Sequence, residues 1–328
     1  MPLPFILAGV ALAAAGYGVK KGIDALDADC EADEFIKKAE VLKEEATKKA
    51  ESTQSDCKLA FARFGEKKLR VLSRSVSNFL DHFHRLNRSR IIIEGINMQD
   101  IQRQVSDARK ITNQLNANGI DGDSAPGVIA GCVGLGASSF TAGAILGGGL
   151  AASGLAGMAV VGGLLAAPAL AILGALSADD MEEKLENAKA YCSQVEAAVK
   201  KADVVIDNLR SVEKMAELFT RQITKFDALF FSLAQDAIAT MKKHHYDTSR
   251  YNQKEKDQLS VTVSTLFSLS AFLKVSIMDK HQKLNEKAKN ALILMRKQMD
   301  SLENGNYSLR GIRFRQARLE DLIDDKTS

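Results

Sequence analysis

A chain of 328 residues with 46% hydrophobic content has the apolar material for one large core or two ordinary ones, which excludes a disordered chain. Its 44 Lys plus Arg nearly balance 41 Asp plus Glu, leaving a net charge of +3, so no global field gathers a polyanion and nucleic acid is not expected as a partner. Four prolines, no tryptophan and 6% aromatic residues exclude a turn-rich β-sandwich or barrel and predict an all-α chain, while cysteines at 30, 57, 132 and 192 lack CxxC spacing and read as free thiols.

In chain order, Pro2 to Gly18 is uncharged and is followed by Lys20 and Lys21. A secretory signal places its positive charge ahead of the apolar run, so residues 1–21 are expected to be retained, with no cleavable signal peptide. Roughly 17 residues is the lower limit for crossing a bilayer, which leaves a tilted span, an interfacial anchor and a buried terminal helix open. Residues 22–123 are expected to form the first part of a helical bundle. Phe35 to Ala50 reads as a charged helix with a thin apolar face, and Leu69, Leu72, Val76, Phe79, Phe83 and Leu86 recur at steps of three and four. Asn97 to Asn116 reads as a further helix, ending in the turn around Gly119 and Gly122.

From Ser124 to Ala178 there is no Asp, Glu, Lys, Arg or His, with Asp121 and Asp123 before the run and Asp179 and Asp180 after it. One helix of that length would measure about 80 Å, against ~30 Å of hydrocarbon, so the segment is expected to fold back on itself. Gly147, Gly148 and Gly149 are the expected hairpin turn, between an arm from Gly127 to Leu146 and a second from Leu150 to Leu176. Gly127 and Gly131, then Gly143 and Gly147, stand four apart, and Gly163 extends the small-residue strip between Ala159 and Ala167. Such strips let helix backbones approach closely in lipid, whereas in water each interior glycine costs about 1 kcal/mol relative to alanine. Pro168 is tolerated in membrane helices as a kink. The competing reading is a hairpin buried permanently inside a soluble bundle.

Residues 179–328 are expected to be the second part of the bundle. No Gly or Pro occurs from Ala175 to Asn304, and Leu185, Ala188, Cys192, Val195, Val199, Ala202, Ile206 and Leu209 step by three and four. The pattern continues from Val212 through Phe219, Phe226 and Phe230 to Ala237 after a three-residue step, which predicts a local stammer in one helix about 95 Å long. His244 to Lys256 is the expected turn. A second periodic run then extends from Leu259 to Leu302 and stops at Gly305.

No catalytic constellation emerges. Gly134-Leu-Gly136-Ala-Ser-Ser139 lacks the third glycine and the flanking pattern of a dinucleotide loop, and there is no phosphate loop, HExxH or GxSxG. His82 and His84 point to different helix faces, and His244 and His245 lie in the predicted turn without a nearby Cys, so solvated or locally satisfied histidines are expected rather than a metal site. Neither an enzyme activity nor a cofactor is expected. Basic residues cluster at Arg63, Lys67, Lys68, Arg70 and Arg74, and Arg310, Arg313, Arg315 and Arg318 surround Phe314. A solvated face explains either cluster; among functional roles, contact with anionic lipid head groups fits best for Arg310, Arg313, Arg315, Arg318, Lys20 and Lys21.

The layout resembles the cytolysin A family of α-helical pore-forming toxins, with long packed helices and a Gly/Ala-rich apolar hairpin in mid-chain. The start MPLPFILAGVALAAAGYGVKK is more apolar than the amphipathic first helix of that family; together with the glycine strip it resembles bacterial glycine-zipper membrane proteins. The resemblance is architectural and transfers no site residue. The expected fold is an elongated bundle of long coiled-coil-like helices carrying the hairpin at one end. The expected function is to insert in a lipid bilayer, oligomerise through the glycine strips and form a pore or remodel the membrane, from a form stored soluble in the cytoplasm. The alternative is a constitutive inner-membrane scaffold whose coiled-coil seams recruit a protein partner.

Overall fold

The computed structural model describes residues 25–86, 181–278 and 284–323, with Val105, Ser106, Arg109, Lys110 and Asn113, and it is all-α. Helix α1 (Ala25–Arg70) passes without a break through a π-helical turn (Val71–Val76) into α2 (Ser77–Phe83). The extra residue of a π turn rotates the following face, and here it keeps Val71, Leu72, Val76 and Phe79 all buried. The thin seam at Phe35–Ala50 and the thicker one at Leu69–Leu86 therefore belong to one nearly continuous rod.

Helix α3 (Met181–Lys243) is the uninterrupted helix that the lack of Gly and Pro predicts, about 95 Å long. Its expected stammer does not occur as a break in frame. Ala188, Val195, Ala202, Leu209, Ala216, Ile223, Phe230 and Ala237 are all buried and are all seven apart. What changes is the second stripe, from Cys192 and Ile206 in the first half to Val212, Phe219 and Phe226 in the second. The interface widens from one neighbour to several while the frame is kept.

Side-chain size explains the widening. On α1 the buried positions Ala32, Ala39, Ala46, Thr53 and Ala60 are also seven apart and small, so α1 and the first half of α3 approach closely as a pair. Lys38–Glu196 (2.8 Å), Lys49–Asp203 (2.5 Å) and Lys67–Asp227 (3.0 Å) link the helices with numbers rising together, so α1 and α3 are parallel. We call this two-helix part the stalk; its apolar contacts form two small clusters, Ala39 with Tyr191, Cys192 and Val195, and Ala46 with Ala198 and Ala202.

Beyond Leu209 the seam residues become Phe and Ile, and the space they hold open is filled by three further helices. The chain ends α3 in a Schellman turn, with the Tyr246 amide donating to Met241 O (2.8 Å) and the His245 amide to Lys242 O (3.1 Å). A 3-10 turn (Thr248–Arg250) and a capping box between Asn252 and Glu255 start α4 (Gln253–Lys274). Helix α4 runs back along α3, with Lys243 on Glu255 and Phe272 stacked on Phe219, and every residue from Val261 to Leu273 is buried.

The single run expected from Leu259 to Leu302 is instead two helices. It breaks after Lys274, and Asn285, whose side chain accepts from the Lys287 amide, caps α5 (Glu286–Glu303). The reversal lets α4 oppose α3 while α5 follows it, as the contacts Leu284 N to Asn208 and Gln222 to Met299 show. Gly305, at φ 72°, ends α5 as predicted, and α6 (Leu309–Ile323) returns alongside it and against α4. The region from about Cys57 onwards in α1, with α2, the end of α3, and α4 to α6, shares one core, here called the head. Val105 joins that core, and Arg109 donates to both carboxylate oxygens of Asp81 on α2, at 3.1 and 2.9 Å; the described members of the helix expected at 97–116 are helical.

Candidate functional site

The stalk tip is built by the parallel pairing. The ion pairs and the Ala39 and Ala46 clusters set α1 and α3 in a register that starts Ala25 and Met181 side by side. Residue 18 ends the first uncharged run seven positions before Ala25, and residue 178 ends the second three positions before Met181. The C-terminal ends of both apolar stretches thus meet the rod at its tip, whereas Ser124 follows, by 15 positions, Arg109 bound at Asp81 in the head. Residues 1–21 and 124–178, including Lys20, Lys21, Gly127, Gly131, Gly143, Gly147, Gly148, Gly149 and Gly163, lie outside the described residues. No helix among the described residues is long and apolar enough to cross a membrane.

The C-terminal arginines are divided by the fold. Arg310, Arg313 and Arg318 are exposed on α6 beside Phe314, with the Arg318 guanidinium 5.6 Å from that ring. Arg315 turns inward, half-buried, and donates to Gln298; burial lowers its pKa. The exposed three lie on the part of the head level with Leu218 to Phe226 of α3, about 55–70 Å along it from the stalk tip.

The basic cluster of α1 is no patch at all. Lys67 pairs with Asp227, Arg70 with Glu66, and Arg63 and Arg74 are exposed. Lys68 is 1% exposed, with Nζ 4.2 Å over the Phe64 ring and no hydrogen-bond partner. Burial pushes its pKa from 10.5 down to about 7. Composition and spacing offered no way to single this lysine out from its neighbours. The one legible hint is its place three and four residues from the buried Phe64, Val71 and Leu72, on the apolar side of α1.

At the far end of the head His82 and His244 are engaged locally, while His84 and His245 are exposed. His82 Nδ1 lies 2.8 Å from the Tyr246 hydroxyl, Arg85 covers the Tyr246 ring at 4.4 Å, and burial with the nearby charges of Lys242 and Arg85 lowers the His82 pKa. Glu255 accepts from His244 (3.0 Å), the Asn252 amide (3.0 Å) and Lys243 (2.9 Å), and these bonds, His244 first, hold its carboxyl down to about 2. His245 and Tyr246 occupy the left-handed region, at φ 52° and 63°. Among the described residues no group of three or more His, Cys, Asp or Glu is arranged to hold a metal ion. The described thiols, Cys57 and Cys192, are buried, and burial pushes Cys57 up to about 12, far from a nucleophile's range.

Comparison with known protein families, curated proteins and solved structures yields no match to this chain.

Proposed function

We propose that the chain is a membrane-inserting, oligomerising helical protein that forms a pore or remodels a bilayer through residues 124–178. The observation that carries this reading is the uncharged, glycine-rich run from Ser124 to Ala178, which ends three positions before Met181 at the tip of a thin parallel stalk, near where the other uncharged run leads into Ala25. A stalk of this form brings the C-terminal ends of two lipid-seeking segments together at its tip, while the chain enters the 124–178 run from Arg109, which is bound in the head.

Chain topology supports two crossings rather than one. Arg109 is bound to α2 and Met181 opens α3, so the chain leaves and re-enters a single body on one side of any bilayer. A run that crosses must then cross an even number of times, which suits arms from Gly127 to Leu146 and from Leu150 to Leu176 turning at Gly147, Gly148 and Gly149. Self-association would proceed through the strip of Gly127, Gly131, Gly143, Gly147 and Gly163, where bulk is excluded. The exposed Arg310, Arg313 and Arg318 reach anionic head groups of the same membrane only if the rod lies along its surface, because the stalk stands between them and the tip.

Dye release from anionic liposomes tests the reading: Gly131→Leu with Gly143→Leu is expected to abolish leakage, and removal of residues 124–178 to weaken flotation with the vesicles. Unchanged leakage or flotation refutes it. The parallel start of α1 and α3 also suits a permanently anchored inner-membrane scaffold with a partner on its coiled-coil seams. Fractionation separates the two, since a scaffold is membrane-bound whenever expressed, whereas an inducible pore former is recovered soluble and shifts to rings on adding lipid.

A further inference from the structure

At the end of the head farthest from the stalk tip, α2 meets the turn between α3 and α4 through Tyr246. This residue stands in the left-handed region at φ 63°, where a bulky side chain is strained, and its phenol reaches His82 of α2. The two rings are stacked, with planes 6° apart and centroids at 6.0 Å, and His82 Nδ1 lies 2.8 Å from the hydroxyl. Strained backbone that is held in place by contacts of this kind gathers at ligand clamps. With the hydroxyl donating to Nδ1, the imidazole proton sits on Nε2, at the other edge of the ring.

Positive charge collects around this imidazole without a matching carboxylate. Arg85, just past the end of α2, sets its guanidinium 4.4 Å from the centre of the Tyr246 ring, and Lys242 belongs to the last turn of α3. Both are close enough to His82 to add to the effect of burial in lowering its pKa. Both are exposed, and neither forms an ion pair among the described residues. The carboxylates of this end are already engaged. Asp81, which acts on His82 in the opposite sense, holds Arg109 through both oxygens, and Asp247 accepts from Ser249 and pairs with Arg250. Glu255 accepts from His244, Lys243 and the Asn252 amide, and Asp257 from Gln253. His244 thus faces an anion of its own chain, whereas His82 faces two cations.

We propose that His82, Arg85 and Lys242 form a binding site for a phosphate monoester dianion, with Tyr246 fixing the tautomer of the imidazole. Charge sets the class of ligand: a carboxylate offsets one of the two cations, whereas a phosphate monoester carries about −1.5 to −2 near pH 7 and three strong acceptor oxygens. Arginine presents a planar fork of N–H donors to such oxygens, lysine a point charge, and Nε2–H a further donor. The groups come from α2, the residues that follow it and the end of α3, so the dianion bridges these elements and relieves the repulsion between Arg85 and Lys242. The same chemistry is offered by a soluble phosphate monoester and by a lipid whose head group is one. The site lies at the opposite end of α3 from residue 181 and does not involve residues 124–178.

Calorimetric titration of the full chain in neutral detergent with inorganic phosphate, at an ionic strength held constant with chloride, is expected to show saturable binding. Arg85→Gln and Lys242→Gln are each expected to weaken it at least about tenfold, the usual worth of a hydrogen bond to a charged group. Lys254→Gln combined with Lys256→Gln, two exposed cations at the start of α4, is expected to leave it unchanged. All four side chains are exposed, so these variants report on binding and not on folding. Flotation with phosphatidylcholine vesicles containing phosphatidic acid, against an equal charge of phosphatidylserine, identifies the source. A preference for phosphatidic acid that Lys242→Gln removes supports the proposal with a lipid monoester as ligand; saturable phosphate binding without that preference supports it with a soluble one. Absence of both overturns it, as does a loss in the Lys254→Gln, Lys256→Gln variant as large as that in Lys242→Gln. The titration contains no bilayer, so its result is independent of the membrane reading.

Discussion

Replacing Phe219 with alanine removes the ring that ties three helices together. Phe219 is fully buried, stacks on Phe272 with centroids 4.6 Å apart and planes 9° apart, and meets Phe64 edge-on at 5.9 Å. Truncating a buried phenylalanine costs about 3–5 kcal/mol including the cavity left behind. Each aromatic pair is worth about 0.5–1.5 kcal/mol beyond the area it buries. The cavity resists collapse, because α4 is enclosed on every side from Val261 to Leu273 and cannot slide in without exposing something else. The upper end of the range, about 5 kcal/mol, is therefore expected, against a total stability of about 5–15 kcal/mol for an ordinary domain. Urea unfolding followed by far-ultraviolet circular dichroism measures it, with Phe219→Leu as the volume-sparing comparison and an expected loss of about 1–2 kcal/mol. A loss below about 2 kcal/mol for the alanine variant would refute the view that the head is organised around this ring.

Two further substitutions probe the turn and the stalk. His245 is exposed at φ 52°, in the position where a Schellman turn favours glycine. His245→Gly is expected to raise stability by about 0.5–1 kcal/mol, as relief of left-handed strain outweighs the added freedom of the unfolded chain. Tyr246→Gly should lower it, because the bond to His82 and the Arg85 contact are lost; shifts of the urea midpoint in the opposite senses would contradict the cap geometry. Ala202→Leu puts a large side chain where the stalk helices touch, opposite Ala46, and is expected to cost about 1–3 kcal/mol. Equal or higher stability in the same unfolding assay would mean that the two helices are not in contact there.

Much of the secondary structure was legible because its causes are local. Absence of Gly and Pro, apolar residues at steps of three and four, the polar turn after Lys243 and the stop at Gly305 each act within a few residues, and α3 and the end of α5 follow them closely. Errors arose where the signal was the same for two outcomes. The run from Leu259 to Leu302 keeps its period across the break at Lys274, since a helix that ends and a helix that restarts in phase look alike. The apparent stammer near Leu209 reflected a changing number of neighbours, which a one-dimensional period registers as a slip. Lys68 looks in sequence like Arg63, Lys67, Arg70 and Arg74, because charge composition does not tell which basic residue the fold will cover.

Composition and periodicity alone determined that the chain is all-α, that one helix spans about 95 Å, and that two uncharged segments interrupt an otherwise charged polymer. Tertiary structure alone decided that α1 and α3 run parallel, that both uncharged segments lead into the rod at the same end, and that a lysine is sealed in the head. The physical reason is that helix formation depends on hydrogen bonds and side chains within a few residues, whereas direction, partner and burial depend on side-chain size matched across long separations. Small residues at Ala39, Ala46, Ala198 and Ala202 close the stalk, and large ones at Phe64, Phe219 and Phe272 hold the head open for α4, a complementarity that exists only once the helices meet.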